Sequence, residues 1–184
     1  MALRIKSHWQ DAERERSLPE IASALAYIAW RIAMDKAINL HCERFVYASD
    51  EQRLAVIREY LVFLIQVADR LSHGEFDDQD RRILITEFAR NLFAHVQDNS
   101  QDLLGPGDHG GPFIALLNER SGEYAEFQFT DDGPSYAFLR HLGFEIQSLM
   151  GAGEENRWVI DQVMDKDGWE AYKTFVKAYR NLFD

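Results

Sequence analysis

Helical periodicity in the first hundred residues constrains the fold of this chain more than any other feature. Apolar residues recur every three or four positions in three successive stretches, and each stretch ends in polar or glycine-containing sequence. The first stretch begins at Ser17, which forms a Ser-x-x-Glu capping box with Glu20, and we expect its helix to run to about Val46. Three long helices packed as a bundle are therefore predicted.

Helix one has two distinct faces. A ridge of small residues would let a neighbouring helix approach closely, so we expect helix one at the centre of the bundle. A broad aromatic and aliphatic face lies beside the ridge. The ridge consists of Ala22, Ala26, Ala29, Ala33 and Ala37, and the broad face of Tyr27, Trp30, Met34, Ile38, His41 and Phe45.

A polar ladder of Arg31, Asp35 and Asn39 also follows helix one, with its members four positions apart. Such a strip is usually a solvated helix surface with a weak ion pair between neighbours. The alternative is that the ladder forms the polar wall of a ligand pocket or an interface.

Helix two begins with a second capping box, Ser49 with Gln52, and should end near His73, before Gly74. Its apolar arc exceeds half of the circumference. An arc this wide predicts either burial between several elements or a face kept for a partner, commonly a second copy of the chain. The first stripe is Leu54, Ile57, Leu61, Ile65 and Ala68, and the second, our candidate interface, is Val56, Tyr60, Phe63 and Val67.

The rest of the chain is expected to be mixed. Helix three should start in the acidic run 77–80 and end before an exposed Gly/Pro-rich loop at 105–112. A β-hairpin is predicted from the apolar runs 113–117 and 124–129, then a fourth helix from 132–135, a short helix or strand at 158–164, and a last helix capped by Asp167 and Glu170. The predicted fold class is mainly α with a minor β-hairpin, in one domain over 1–184 whose residues 1–16 are a candidate flexible segment.

Charge and composition exclude several classes of protein. The net charge of −11 and the absence of a basic cluster disfavour nucleic acid as a partner. Cys42 is the only cysteine, so no internal disulfide can form, and the first residues lack the apolar core of a secretory signal. The most apolar stretch, 21–34, is too short for a membrane span and contains Arg31. We expect a cytoplasmic protein that does not bind membranes.

Motifs for cofactors and metals are weak. Residues 105–110 match G-x-G-x-x-G, but a helix precedes them and a strand-like run is expected after them, which is the reverse of a nucleotide-binding context. No histidine has a partner at the spacing of H-E-x-x-H or E-x-x-H. Cys42 lies inside a helix, with no feature that would activate a thiolate. We therefore expect neither a cofactor nor a metal.

One motif suggests catalysis. Arg90, Asn91 and His95 on helix three resemble the Arg-x4-6-His signature of HEPN ribonuclease domains, over six residues. The resemblance implies a dimeric helical bundle that cleaves RNA without a metal. In that family His95 would transfer a proton and Arg90 would stabilise the charged phosphorane.

Three functional hypotheses result. The leading one is an acidic, non-enzymatic cytoplasmic domain that acts through protein contacts, as a homodimer. The second is a HEPN-like ribonuclease. The third is a helical protein that binds a small ligand next to the polar ladder.

Overall fold

The computed structural model describes residues 16–183 and confirms a mainly α fold with a small antiparallel β-hairpin. A 3-10 turn (Glu154–Asn156) precedes α6, and a π-helical turn (Val163–Asp167) joins α6 to α7. The hairpin pairs Phe129 with Pro134 and Thr130 with Gly133. The elements are α1 (Leu18–Cys42), α2 (Asp50–Ser72), α3 (Asp78–Leu104), α4 (Gly110–Tyr124), β1 (Phe129–Thr130), β2 (Gly133–Pro134), α5 (Tyr136–Met150), α6 (Val159–Gln162) and α7 (Gly168–Phe183).

The central helix is α2, not α1 as the sequence suggested. Ten consecutive residues, 59–68, are buried, so this part of α2 has no solvent-facing side. It packs against α1, α3, α4, α5 and α7. Both stripes of α2 therefore belong to the core, because helices from the C-terminal half cover the side that α1 and α3 leave open.

Burial of the second stripe corrects the prediction that it forms an interface. Val56, Tyr60, Phe63 and Val67 are each 0% exposed within this single chain. The Phe63 ring packs edge-on against Phe138 of α5, with centroids 5.8 Å apart. The wide apolar arc of α2 is therefore explained by packing within the chain, and it gives no reason to expect a dimer.

The start and the small-residue ridge of α1 agree with prediction, but its end does not. All five ridge alanines are at most 1% exposed. The helix ends at Cys42, four residues before the expected end, because Arg44 adopts a left-handed conformation with φ of 74°. The Phe45 N–H then bonds back to the Leu40 carbonyl at 3.1 Å, as in a Schellman motif. On the broad face, Tyr27 and Ile38 are more than half exposed.

The segment predicted as a β-hairpin is mostly helical. The runs 113–117 and 124–129 are predicted as strands, yet α4 spans Gly110–Tyr124, and of the second run only Phe129 is in a strand. Its buried positions Phe113, Arg120 and Tyr124 follow helical spacing, and short apolar runs do not distinguish a buried helix from a strand. The real hairpin comprises only two residues per strand and lies after this helix. The 158–164 segment, left open between helix and strand, is helical.

Asp167 does not cap the last helix as predicted. The π-helical turn runs directly into α7, so the backbone there has no free helix start that Asp167 could cap. Its fully buried carboxylate instead accepts hydrogen bonds from Asn39 Nδ2 at 2.8 Å and Gln162 Nε2 at 3.3 Å, and it lies 4.0 Å from Lys36 Nζ. Lys36 also pairs with Glu170 at 2.6 Å. These contacts fix α7 against α1.

Asp167→Ala should lower the free energy of unfolding by about 2–3 kcal/mol, because it leaves the Asn39 amide without its acceptor and removes a buried charge near Lys36. Asp165→Ala is the matched control, since Asp165 is exposed in the same π-helical turn and should change stability by less than about 0.5 kcal/mol. Urea unfolding measures both. Equal midpoints for the two variants would show that Asp167 does not hold α7.

Candidate functional site

A cavity of about 370 Å³ opens where α1, α2 and the C-terminal end of α3 meet. Its volume is in the range of small-ligand sites. Seven of its ten lining residues are apolar, and the polar groups are few, as is usual for such sites. The lining residues are Trp30, Met34, Ala37, Ile38, Arg53, Leu54, Ile57, Asn99, Asp102 and Leu103.

A second compartment of about 430 Å³ adjoins the first, and both are lined by Ala37, Ile38 and Arg53. It is the more polar of the two. Its remaining lining residues are His41, Val46, Tyr47, Ser49 and Asp50. We call the two compartments together the bundle-end groove.

The rim of the groove is apolar and solvent-exposed, whereas its floor is closed. Ile38 is 55% exposed and Leu103 is 43% exposed, yet Trp30, Leu54 and Ile57 beneath them are almost fully buried. Exposed apolar side chains around a concave surface are more informative than scattered ones, because a bound molecule could bury them. This arrangement is the main reason to consider the groove a binding site.

Polar groups in the groove are held in defined positions. Arg53 Nη2 lies 2.9 Å from Asp50 Oδ1, and both side chains remain about half exposed. The Tyr47 hydroxyl donates to the Ala37 carbonyl at 2.9 Å, and burial raises the pKa of Tyr47, so this hydroxyl remains neutral. A ligand entering from solvent would thus meet Arg53 as the exposed cation of the groove.

The polar ladder does not form one wall. Arg31 Nη1 donates to the Tyr27 hydroxyl at 3.3 Å, Asp35 is exposed, and Asn39 is bonded to Asp167. None of these three residues lines the bundle-end groove, which lies beside the ladder on α1. Sequence inspection also missed Lys36, which follows Asp35 and carries the buried ion pairs of this helix. A buried lysine has no distinct pattern in a single sequence.

In the Arg90, Asn91 and His95 motif, Arg90 is exposed, whereas Asn91 and His95 are partly buried. Arg90 pairs with Glu87 on its own helix at 2.5 Å and is 68% exposed, and Asn91 donates to the Glu87 carbonyl at 2.7 Å. His95 instead stacks on Trp30, with centroids 5.9 Å apart and an interplanar angle of 20°. Neither Arg90 nor His95 lines the groove. These contacts resemble ordinary helix packing and do not favour the ribonuclease hypothesis.

The G-x-G-x-x-G segment at 105–110 is followed by a helix and not by the predicted strand, because α4 begins at Gly110. Only the residues before Gly110 form a loop. Gln97 Oε1 accepts hydrogen bonds from the backbone N–H groups of His109 and Gly110, each at 2.9 Å. Asp108 Oδ1 accepts from Gly111 N–H at 2.8 Å. The backbone N–H groups that would bind a phosphate are therefore already hydrogen-bonded within the chain. Gly110 is buried beneath Phe93, so the predicted exposure of 105–112 holds only in part.

Comparison with known proteins gives no match to the chain, whether with family models, curated proteins or solved structures. None of the helices formed by residues 16–183 combines the length and apolar character that crossing a membrane requires. Function must therefore be inferred from the geometry.

The His95–Trp30 stack should make stability depend on pH. Burial lowers the pKa of His95, and nearby Asp98 opposes this only in part. The folded state therefore favours the neutral imidazole of His95. This contribution to stability is present above the pKa of His95 in the unfolded chain, about 6.5, and is lost as the pH falls through its lower pKa in the folded state. Between about pH 7.5 and 5.5, the urea midpoint of the native protein should fall relative to that of His95→Phe, which keeps the stack without a titrating group. Parallel pH profiles would contradict this assignment.

Proposed function

We propose that the protein binds a small amphipathic molecule in the bundle-end groove. The observation that carries the proposal is a concave apolar surface with a closed floor and a rim at which Ile38 and Leu103 are about half exposed. Burying such side chains under a ligand is favourable by roughly 25 cal/mol per Å² of apolar area. The site is therefore suited to binding.

The chemistry of the walls indicates what the ligand should look like. The compartment around Trp30, Ile57 and Leu103 would hold an apolar body, and aromatic or branched groups would fit it. The other compartment presents the guanidinium of Arg53, which has five N–H donors in a planar fork, and Asp50 takes one of them. A carboxylate, sulfonate or similar anionic end would complete its hydrogen bonds.

8-Anilinonaphthalene-1-sulfonate is a suitable probe, because it joins apolar rings to an anionic group. Titration of the native protein should give saturable fluorescence enhancement with one site per chain. Ile38→Gln and Arg53→Gln should each weaken binding about tenfold, since each removes a contact worth roughly 1.4 kcal/mol. The matched control is Ile83→Gln, which changes a similarly exposed isoleucine, 37% exposed, on α3 and outside the groove.

Urea unfolding of each variant separates loss of binding from loss of fold, because substitutions at exposed positions should leave the midpoint nearly unchanged. If Ile83→Gln weakens probe binding as much as Ile38→Gln does, the dye binds apolar surface in general, and the groove is not its site.

Self-association is a second candidate function, favoured by exposed aromatic side chains in the C-terminal half. Tyr136 is 67% exposed, Phe144 51% and Trp158 59%. Aromatic residues are enriched where proteins meet, and these three would be the contact of a homodimer. With the second stripe of α2 buried, the dimer proposal rests on these exposed aromatic side chains.

Light scattering at micromolar concentration tests the homodimer directly. We expect the native protein to have twice the monomer mass if these aromatic residues form its interface, and Phe144→Gln should shift the protein toward the monomer. A native protein with the mass of one chain excludes the dimer without affecting the ligand proposal.

A further inference from the structure

A group of charged side chains lies between α2, α4 and α5, away from the bundle-end groove. Its members, which we call the Arg120 cluster, are largely withdrawn from solvent. The exposed fractions of their side chains are 2% for Glu59, 11% for Arg120, 38% for Glu123, 13% for His141 and 15% for Glu145.

The guanidinium of Arg120 joins three helices. Its Nη2 lies 3.0 Å from Glu59 Oε1 on α2 and 2.5 Å from Glu145 Oε2 on α5, while Nη1 lies 3.0 Å from Glu123 Oε2 on α4. Glu119 adds a contact at 3.3 Å from the exposed edge. The carboxylates of Glu59, Glu123 and Glu145 therefore all pair with the same guanidinium.

The charges of the cluster do not balance. Glu59, Glu123 and Glu145 contribute three negative charges and Arg120 one positive charge, so −3 + 1 leaves −2 when His141 is neutral. A net charge held away from water is costly unless a further cation or protons compensate it. Burial, reinforced by Glu145 and Glu123, raises the pKa of Glu59 despite its bonds to Arg120. A divalent cation would cancel the excess.

Donor atoms of a type that binds metals converge beside Arg120. His141 Nε2 lies 3.0 Å from Glu123 Oε2, and His141 Nδ1 lies 3.9 Å from Glu145 Oε1. One ligand atom from each of these residues lies within 4.8 Å of the others. One ring nitrogen of His141 would bind the ion. With bonds of about 2.0–2.2 Å, ligand atoms around the ion are about 3.3–3.6 Å apart, so the side chains of the triad must move closer by up to about 1.5 Å.

A buried tyrosine provides independent support for a ligand at this place. Tyr124 is 0% exposed, and its hydroxyl has no hydrogen-bond partner among residues 16–183. Its ring packs edge-on against His141, with centroids 4.8 Å apart. A phenol in this position can donate a hydrogen bond to a metal-bound carboxylate.

We propose that the Arg120 cluster binds one divalent first-row transition-metal ion, such as Zn²⁺, through His141, Glu123 and Glu145. The imidazole favours such an ion over Mg²⁺ or Ca²⁺, which prefer oxygen ligands only. Arg120 keeps its bonds to Glu59 and releases carboxylate oxygens of Glu123 and Glu145 to the ion. Because its ligands come from two helices, the ion links α4 to α5.

Isothermal titration of the full chain with Zn²⁺ alone tests the site. The native protein should bind one Zn²⁺ per chain with micromolar or tighter affinity, and at least tenfold more tightly than Mg²⁺. His141→Phe should weaken Zn²⁺ binding at least tenfold while retaining an aromatic ring against Tyr124. Glu123→Gln should weaken it similarly with almost no change in volume.

The matched control is His73→Phe. His73, the residue directly after α2, also has an acidic residue four positions away, Asp69, but Arg81 holds that carboxylate through two hydrogen bonds of 2.9 and 2.7 Å. This variant should bind Zn²⁺ as the native protein does.

Circular dichroism and urea midpoints without metal establish that each variant is folded, and added Zn²⁺ should raise the midpoint of the native protein but not that of His141→Phe. Zn²⁺ binding weaker than millimolar would overturn the proposal. Equal losses in His141→Phe and His73→Phe would also overturn it, as would equal affinities for Zn²⁺ and Mg²⁺.

Discussion

The packing of the other helices depends on the complete burial of the middle of α2. A helix surrounded on every side keeps its polar side chains from water, so their hydrogen-bond partners must come from the protein. Glu59 pairs with Arg120, and Gln66 donates to the Ser121 hydroxyl at 2.8 Å, whereas the Tyr60 hydroxyl has no partner among the described residues. Both partners come from α4, so polar contacts as well as apolar packing determine where α4 lies.

The two proposed sites lie on different sides of this helix. Ile57 lines the bundle-end groove, and Glu59, two residues later, points about 200° around the helix axis, toward α4 and α5. The groove thus depends on α1 and α3, whereas the Arg120 cluster depends on the C-terminal half of the chain. A substitution in one site should leave the other intact, and the two proposals can fail separately.

Polar contacts also fasten the C-terminal helix to the bundle. Burial raises the pKa of Asp167, and the hydrogen bonds from Gln162 and Asn39 together with the charge of Lys36 oppose that effect. The same lysine lowers the pKa of Glu170 through its hydrogen bond. Asp167 and Glu170 therefore contact α1 through Lys36, a cation that α1 supplies from a buried position.

The sequence by itself determined the three long helices, their starts and the mainly α fold, because capping residues and three-four periodicity act locally. It also showed the breadth of the apolar arc on α2. Only the tertiary structure decided that this arc is core, since the decision depends on α4 and α5, which are distant in sequence. The same holds for the candidate sites: the spacing of His141 and Glu145, four residues apart on one helix, was visible, but Glu59, Arg120 and Glu123 join them only through folding. Local sequence specifies which residues form a helix, whereas long-range packing decides which charges meet.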